Sequence, residues 1–264
     1  MTISLVDGTA SSVLPLDDRG FLYGDGLFET MAFRQGQVAL WPHHLERLQQ
    51  SCGRLNLECP DATLLENELS QMTADGEDCS LRLTLTRVTE GVGYGFVPGG
   101  GVRRVWTRRA LPEPRHGGLR IGVCQTHLAR NPLLAGIKHL CRLEHVLAAG
   151  EVAAAGWDEG LMLDVEGLIV EATQGNLLFH AQGRWFTPSL DLCGVAGVAR
   201  AGLRNRMVLE SIDLPGSVLD QVDALAVCNA VRGVEAVREV VGVKEFDPAP
   251  VAELATDLMP CVFD

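Results

Sequence analysis

The stretch NPLLAGIKHLCRLEHVLAAGEV, residues 131–152, decides how this chain is read. It passes from a proline turn through a short apolar run to Lys138, then into residues that favour a helix. A lysine on its own is most often a solvated surface group. This one stands between an apolar run and an amphipathic stretch, and further along comes VEATQGNLLF (170–179), with Glu171 and Asn176. An amine and a carboxylate in such settings are candidates for chemistry rather than for solubility, and the rest of the sequence decides between the two.

Around this core the pattern is mixed. ISLVDG and GLFETMAFRQGQVAL alternate as strands, with RQGQ as a hairpin turn. Pro42 opens a helix, where its missing N–H costs nothing, and Leu45, Leu48, Cys52 and Leu55 continue it at helical spacing. Asp61 is a candidate cap for a second helix reaching to about Ala74. CSLRLTLTRV (79–88) places Leu81, Leu83 and Leu85 on one face of a strand, and VRRVWTRRAL reads as another. LPEPRHGG (111–118), with two prolines and two glycines, reads as a linker. The expected organisation is therefore a small N-terminal α/β domain over 1–110, a linker over 111–118 and a larger C-terminal domain over 119–264 that carries Lys138. In that second part LRIGVCQT is a strand, and a helix near 141–155 is expected to turn Leu143, Val146 and Leu147 inward. EGLMLDVEGLIVEA is two strands about a Glu-Gly turn, and NLLFHAQGRWFTP a hairpin turning at Gln182–Gly183. GVARAGLRNRMVLES reads as helix and DALAVCNA as a buried strand.

Composition narrows the function classes. The chain has 264 residues, 47% of them hydrophobic, enough to bury a sizeable core. Its formal net charge of −12 argues against nucleic acid and anionic membrane as partners. No apolar run is long enough for a transmembrane helix, and the N-terminus lacks the basic and apolar regions of a signal peptide. The eight cysteines, at 52, 59, 79, 124, 141, 193, 228 and 261, include no CxxC pair, so a metal site is not expected. Several lie in apolar strand-like runs, where Cys acts as a small hydrophobe, and a cytoplasm that keeps thiols reduced is the expected compartment.

The lysine and carboxylate stretches resemble the class IV pyridoxal phosphate enzymes, the fold type of branched-chain aminotransferases, D-amino acid aminotransferases and 4-amino-4-deoxychorismate lyase. LAGIKHLCRLEHVL looks most like the lyase branch, and EATQGNLLF resembles the family signature of a Glu followed by an Asn and apolar or aromatic positions. The likeness continues in DDRGFLYGDGLFET (17–30), HLERLQQSCGRL (44–55), GVAGVAR (194–200) and DALAVCNAVRGVEAV (223–237), in the right order over nearly the whole chain. It implies a two-domain α/β fold with the cofactor pyridoxal 5′-phosphate between domains, and a homodimer. It also implies a small-molecule substrate, 4-amino-4-deoxychorismate, converted to 4-aminobenzoate and pyruvate in folate synthesis. The alternatives are a D-amino acid or branched-chain aminotransferase, and a non-catalytic cofactor-binding homologue. Lys138, Glu171 and Arg47 together argue against the latter.

The resemblance also assigns roles. Lys138 forms the Schiff base and becomes the general base once substrate displaces it. Glu171 meets the pyridine nitrogen and keeps it protonated. Asn176 either positions the cofactor or satisfies a turn. Arg47 reaches the phosphate. Gly197, Val198 and Ala199 offer N–H groups at a helix start, and Asn229 and Ala230 offer a further backbone contact. Thr30 stands where the lyase branch carries threonine and branched-chain aminotransferases tend to carry glycine. Tyr23, Phe28 and Tyr94 line the substrate pocket. The substrate's two carboxylates want cations, for which Arg87, Arg109 and Arg130 are candidates. Two positions depart from the lyase pattern: Val92 stands where an arginine is common, and Cys141 where asparagine is. Both bear on the substrate more than on the cofactor.

Overall fold

The computed structural model describes residues 4–89 and 91–255. The chain forms two compact units, one of Met1–Pro112 with Ile137–Cys141, the other of Glu113–Gly136 with Arg142–Asp264.

The first unit is built on the alternation seen in CSLRLTLTRV. Its strands are β1 (Ser4–Val6), β2 (Thr9–Ala10), β3 (Gly26–Arg34), β4 (Gln37–Val38), β5 (Cys79–Arg87) and β6 (Val102–Arg109), in the order β2-β1-β6-β5-β3-β4. Every neighbouring pair is antiparallel. Between β3 and β4, Gln35 and Gly36 both take left-handed φ, of 51° and 84°, the twist that suits a two-residue hairpin. Helix α1 (Arg19–Tyr23) is capped by the Asp18 side chain, α2 (Trp41–Arg54) carries Pro42 in its first turn, and α3 (Ala62–Met72) is capped by Asp61. Leu81, Leu83 and Leu85 pack with Leu27, Met31, Trp106, Leu48 and Leu65 into one buried core.

The second unit is a ten-stranded mixed sheet. Its strands are β7 (Leu119–Val123), β8 (Glu159–Leu163), β9 (Leu168–Ala172), β10 (Asn176–Ala181), β11 (Arg184–Pro188), β12 (Leu209–Ile212), β13 (Leu214–Pro215), β14 (Ala224–Asn229), β15 (Gly233–Val240) and β16 (Lys244–Glu245). Their order is β12-β11-β10-β14-β15-β7-β8-β9-β13, with β16 on β15. Helices α4 (Leu143–Ala155) and α5 (Val198–Arg204) belong to this unit. β14 is buried up to Cys228, as its unbroken apolar run requires.

Three expectations give way. Lys138 does not travel with the C-terminal part: Ile137 is fully buried in the first unit's core and His139 bridges Leu27 on β3. Leu143, Val146 and Leu147 do not face inward. They are 71%, 62% and 57% exposed, because α4 seats its small residue Ala148 inward and packs against β8. The stretch after Arg204 is not helix throughout, since Leu209–Ile212 alternates and pairs in parallel with β11.

Candidate active site

Lys138 is fixed by main chain. The Phe28 N–H donates to the Lys138 carbonyl at 3.0 Å, and the Leu140 N–H donates to the Gly26 carbonyl at 3.0 Å. The segment can lie this close because position 26 has no side chain: a Cβ there would stand 2.1 Å from the Leu85 carbonyl oxygen and 2.8 Å from the Leu140 side chain. The Lys138 ammonium stands 4.4 Å from the centroid of the Phe28 ring. The Arg82 guanidinium stands 3.8 Å from the same centroid. Thr30 is the cross-strand partner of Arg82. Phe28, Thr30 and Arg82 therefore share the sheet face opposite the leucine core. This gathers the expected Lys138, Phe28 and Thr30, and adds Arg82, which the motifs did not flag.

Arg82 is half-buried, and its guanidinium Nε donates to the Thr84 hydroxyl at 3.3 Å. Among the described residues it has no carboxylate partner. Burial and the neighbouring Arg109 both push its pKa down, the signature of a cation short of an anion. The expected carboxylate receptors are engaged or peripheral. Arg87 donates to Asp25 at 3.0 Å and to the Leu55 and Asn56 carbonyls at 2.8 and 2.7 Å. Arg130 is paired with Asp164 at 2.8 Å in the second unit. Arg109 is exposed at the end of β6. Tyr23 and Tyr94 meet with ring centroids 5.2 Å apart. The loop that carries Tyr94 is tied down by Arg19, which donates to the carbonyls of Gly93, Tyr94 and Gly95.

Arg47 and His44, three residues apart on α2, face one buried carboxylate, Glu29. The Arg47 Nε donates to Glu29 Oε1 at 2.8 Å, a second guanidinium nitrogen reaches Oε2, and His44 Nδ1 lies 2.6 Å from Oε2. Burial alone would raise the Glu29 pKa, but Arg47 and His44 outweigh it and hold the carboxyl down at about 2. Burial lowers the His44 pKa, against the pull of Glu29, and the charges of Arg47 and Lys138 lower it further. Glu29 thus orients Arg47. The motif gave Arg47, and the i, i+3 spacing in HLER was the available signal for His44.

In the second unit Glu171 is 3% exposed near the end of β9. Its Oε2 accepts from the Val195 N–H at 2.9 Å, and its Oε1 lies 2.9 Å from His145 Nε2. Asn176 is fully engaged with the loop before α5: its Nδ2 donates to the Val195 carbonyl at 2.9 Å and its Oδ1 accepts from the Gly197 N–H at 3.0 Å. A Cβ on Gly197 would fall 2.0 Å from that oxygen, so only glycine admits the clamp. Val198 and Ala199 then open α5, whose first-turn N–H groups have no acceptor within the helix. Asn229 accepts from the Val231 and Arg232 N–H groups at 3.0 and 2.8 Å and so shapes the turn holding Ala230.

The family model for class IV aminotransferases matches residues 26–240, most of the chain. The chain belongs to the class IV aminotransferase family. This bears out the fold type, the pyridoxal phosphate dependence and the enzyme class that the resemblance implied. Among family members, aminodeoxychorismate lyase of Vibrio harveyi is 33% identical over 96% of this chain and 97% of its own length. The crystal structure of 4-amino-4-deoxychorismate lyase from Pseudomonas aeruginosa superposes with a TM-score of 0.87 at 39% identity, covering 97% of this chain and 99% of that one. A bifunctional aminodeoxychorismate lyase and D-amino acid transaminase of Mycobacterium tuberculosis is 26% identical over 65% of this chain and 62% of its own length.

The donor set fits the family's cofactor. Each unit supplies groups of the right chemistry: an amine and an oriented guanidinium in the first, and a buried carboxylate with a helix start in the second.

Proposed function

We propose that this chain is a 4-amino-4-deoxychorismate lyase, releasing 4-aminobenzoate and pyruvate in folate synthesis, in the cytoplasm. One observation carries the reading. Lys138 and Arg82, which has no carboxylate partner among the described residues, flank one ring, beside Thr30, in a chain 39% identical along nearly its whole length to a structurally known lyase. Lys138 serves as cofactor attachment point and as the base that takes the proton from the amine-bearing ring carbon. Pyridoxal phosphate, when bound, supplies the electron sink for that proton's removal. Glu171 meets the pyridine nitrogen. Arg47, oriented by Glu29, and the N–H groups of Gly197, Val198 and Ala199 receive the phosphate. In that role Gly197 shares its N–H with Asn176. Arg82 takes one substrate carboxylate by a charge-assisted hydrogen bond. Thr30 offers its hydroxyl to the departing enolpyruvyl oxygen. The exposed stripe of Leu143, Val146 and Leu147 on α4 supports a homodimer that covers it.

The test is to supply 4-amino-4-deoxychorismate and measure 4-aminobenzoate and pyruvate together. Equal release of both is the expected result. The transaminase reading draws support from the bifunctional Mycobacterium tuberculosis relative. It replaces the lyase reading if keto-acid formation from D-amino or branched-chain amino acids outruns 4-aminobenzoate release. An Arg82→Met variant should raise KM for the lyase substrate while pyridoxal phosphate affinity stays unchanged.

A further inference from the structure

His145 lies in the LAGIKHLCRLEHVL stretch but has no role assigned to it there, yet its side chain touches Glu171. It lies in the first turn of α4, with its side chain 14% exposed, and its Nε2 stands 2.9 Å from Glu171 Oε1. The other carboxylate oxygen is held by the Val195 N–H at 2.9 Å. Among the described residues each oxygen therefore has one hydrogen-bond donor, and one lone-pair direction is left for a further donor. The far ring nitrogen, His145 Nδ1, is buried and has no hydrogen-bond partner among the described residues. A proton on Nδ1 would thus be a buried donor with no acceptor, which is unfavourable. A proton on Nε2 has the carboxylate to donate to. The geometry accordingly selects a neutral imidazole with its hydrogen on Nε2. A neutral donor orients the carboxylate without cancelling its charge, whereas an arginine or lysine at this position would orient it and neutralise it at once.

We propose that His145 is a positioning residue for pyridoxal phosphate. It locks the Glu171 carboxylate in place through a neutral Nε2–H donor and leaves the full negative charge for the pyridine nitrogen. The inference rests on reading Glu171 as the partner of that nitrogen. A purely structural histidine would change stability when replaced, but would not change how strongly the protein holds the cofactor or the visible band of the bound cofactor.

Three measurements test it. In wild-type apoprotein labelled with 15N-histidine, NMR should show His145 as the Nε2–H tautomer, and Glu171→Gln should shift that signal. The opposite tautomer overturns the proposal without recourse to any variant of His145. In titrations of pyridoxal phosphate into apoprotein, His145→Leu should weaken binding by about tenfold or more, the scale of losing a hydrogen bond to a charged group, and should move the visible band. His145→Gln, which keeps a neutral donor, should restore much of both. If His145→Leu binds as wild type with an unchanged band, or if His145→Gln fails to recover what the Leu variant loses, the positioning role is overturned. The wild-type arm separates this from the wider reading. A wild type that takes no pyridoxal phosphate on Lys138 brings down both, whereas one that takes it there while the His145 variants match it brings down the positioning role alone.

Discussion

Lys138 is one of two lysines in the chain, and the other, Lys244, donates to the Val222 carbonyl at 2.8 Å in the second unit. Borohydride reduction of the holoenzyme followed by peptide mapping should therefore give a single labelled lysine at 138. Lys138→Ala should abolish turnover, because no other side chain offers both attachment and base. Label on Lys244 would show the assignment to be wrong. Glu29 gives a second expectation. Its folded pKa of about 2 lies below the ordinary 4.5, so protons bind the unfolded chain more readily. Its contribution is complete above about 4.5 and is lost as pH falls through about 2. At about 1.4 kcal/mol per unit, roughly 3 kcal/mol is at stake. Glu29→Gln should flatten the acid limb of a denaturation series across that window. It should also destabilise at neutral pH by about 3 kcal/mol, since Arg47 is left buried without its anion. An unchanged acid limb would remove Glu29 from the stability account.

The loop ahead of α5 shows what one side chain does for an element. Asn176 on β10 holds the Val195 carbonyl and the Gly197 N–H, and Glu171 on β9 holds the Val195 N–H. Two strand residues thus set where the helix begins. Asn176→Ala leaves both of its partners unsatisfied and should cost about 2 kcal/mol, with weaker pyridoxal phosphate binding as the loop relaxes. Gly197→Ala should cost at least as much, because the new Cβ collides with the Asn176 oxygen. Urea denaturation of both variants decides, and wild-type stability in either would mean the clamp is incidental. At this scale the sequence was legible where local rules govern. Pro42 and Asp61 mark helix starts, and Gln35–Gly36 and Gln182–Gly183 mark turns, all found in place. It was misleading on α4, because periodicity reports that an apolar stripe exists and not which stripe the sheet takes. The helix gave Ala148 to the sheet and left the larger side chains outside.

For the molecule as a whole, cofactor binding is linked to folding. A ligand at about a hundred times its Kd adds about 2.7 kcal/mol to the stability of a protein that binds it only when folded. For a chain of this size that corresponds to a rise in Tm of about 5–10 °C. Pyridoxal phosphate should produce that rise in wild type, and the proposed phosphate role of Arg47 predicts a smaller one in Arg47→Ala at the same concentration. Equal rises in the two proteins would take Arg47 out of the phosphate site. Sedimentation equilibrium tests the expected dimer. A monomer at micromolar concentration would leave the α4 stripe in need of another explanation.

The sequence by itself determined the family, and it singled out Lys138, Glu171 and Arg47 as the candidates for attachment, ring nitrogen and phosphate, since each sits in a local motif whose order along the chain is distinctive. It also determined most strands, because alternation is a property of neighbouring residues. Only the tertiary structure decided where Lys138 resides, because a segment's partner sheet depends on which core can bury Ile137. The same holds for Glu29 under Arg47, for Arg82 across from Thr30 and for His145 against Glu171. In each of these pairs the two residues lie far apart in sequence or on different elements. Their meaning arises only when packing brings a charge to its partner, or leaves one without.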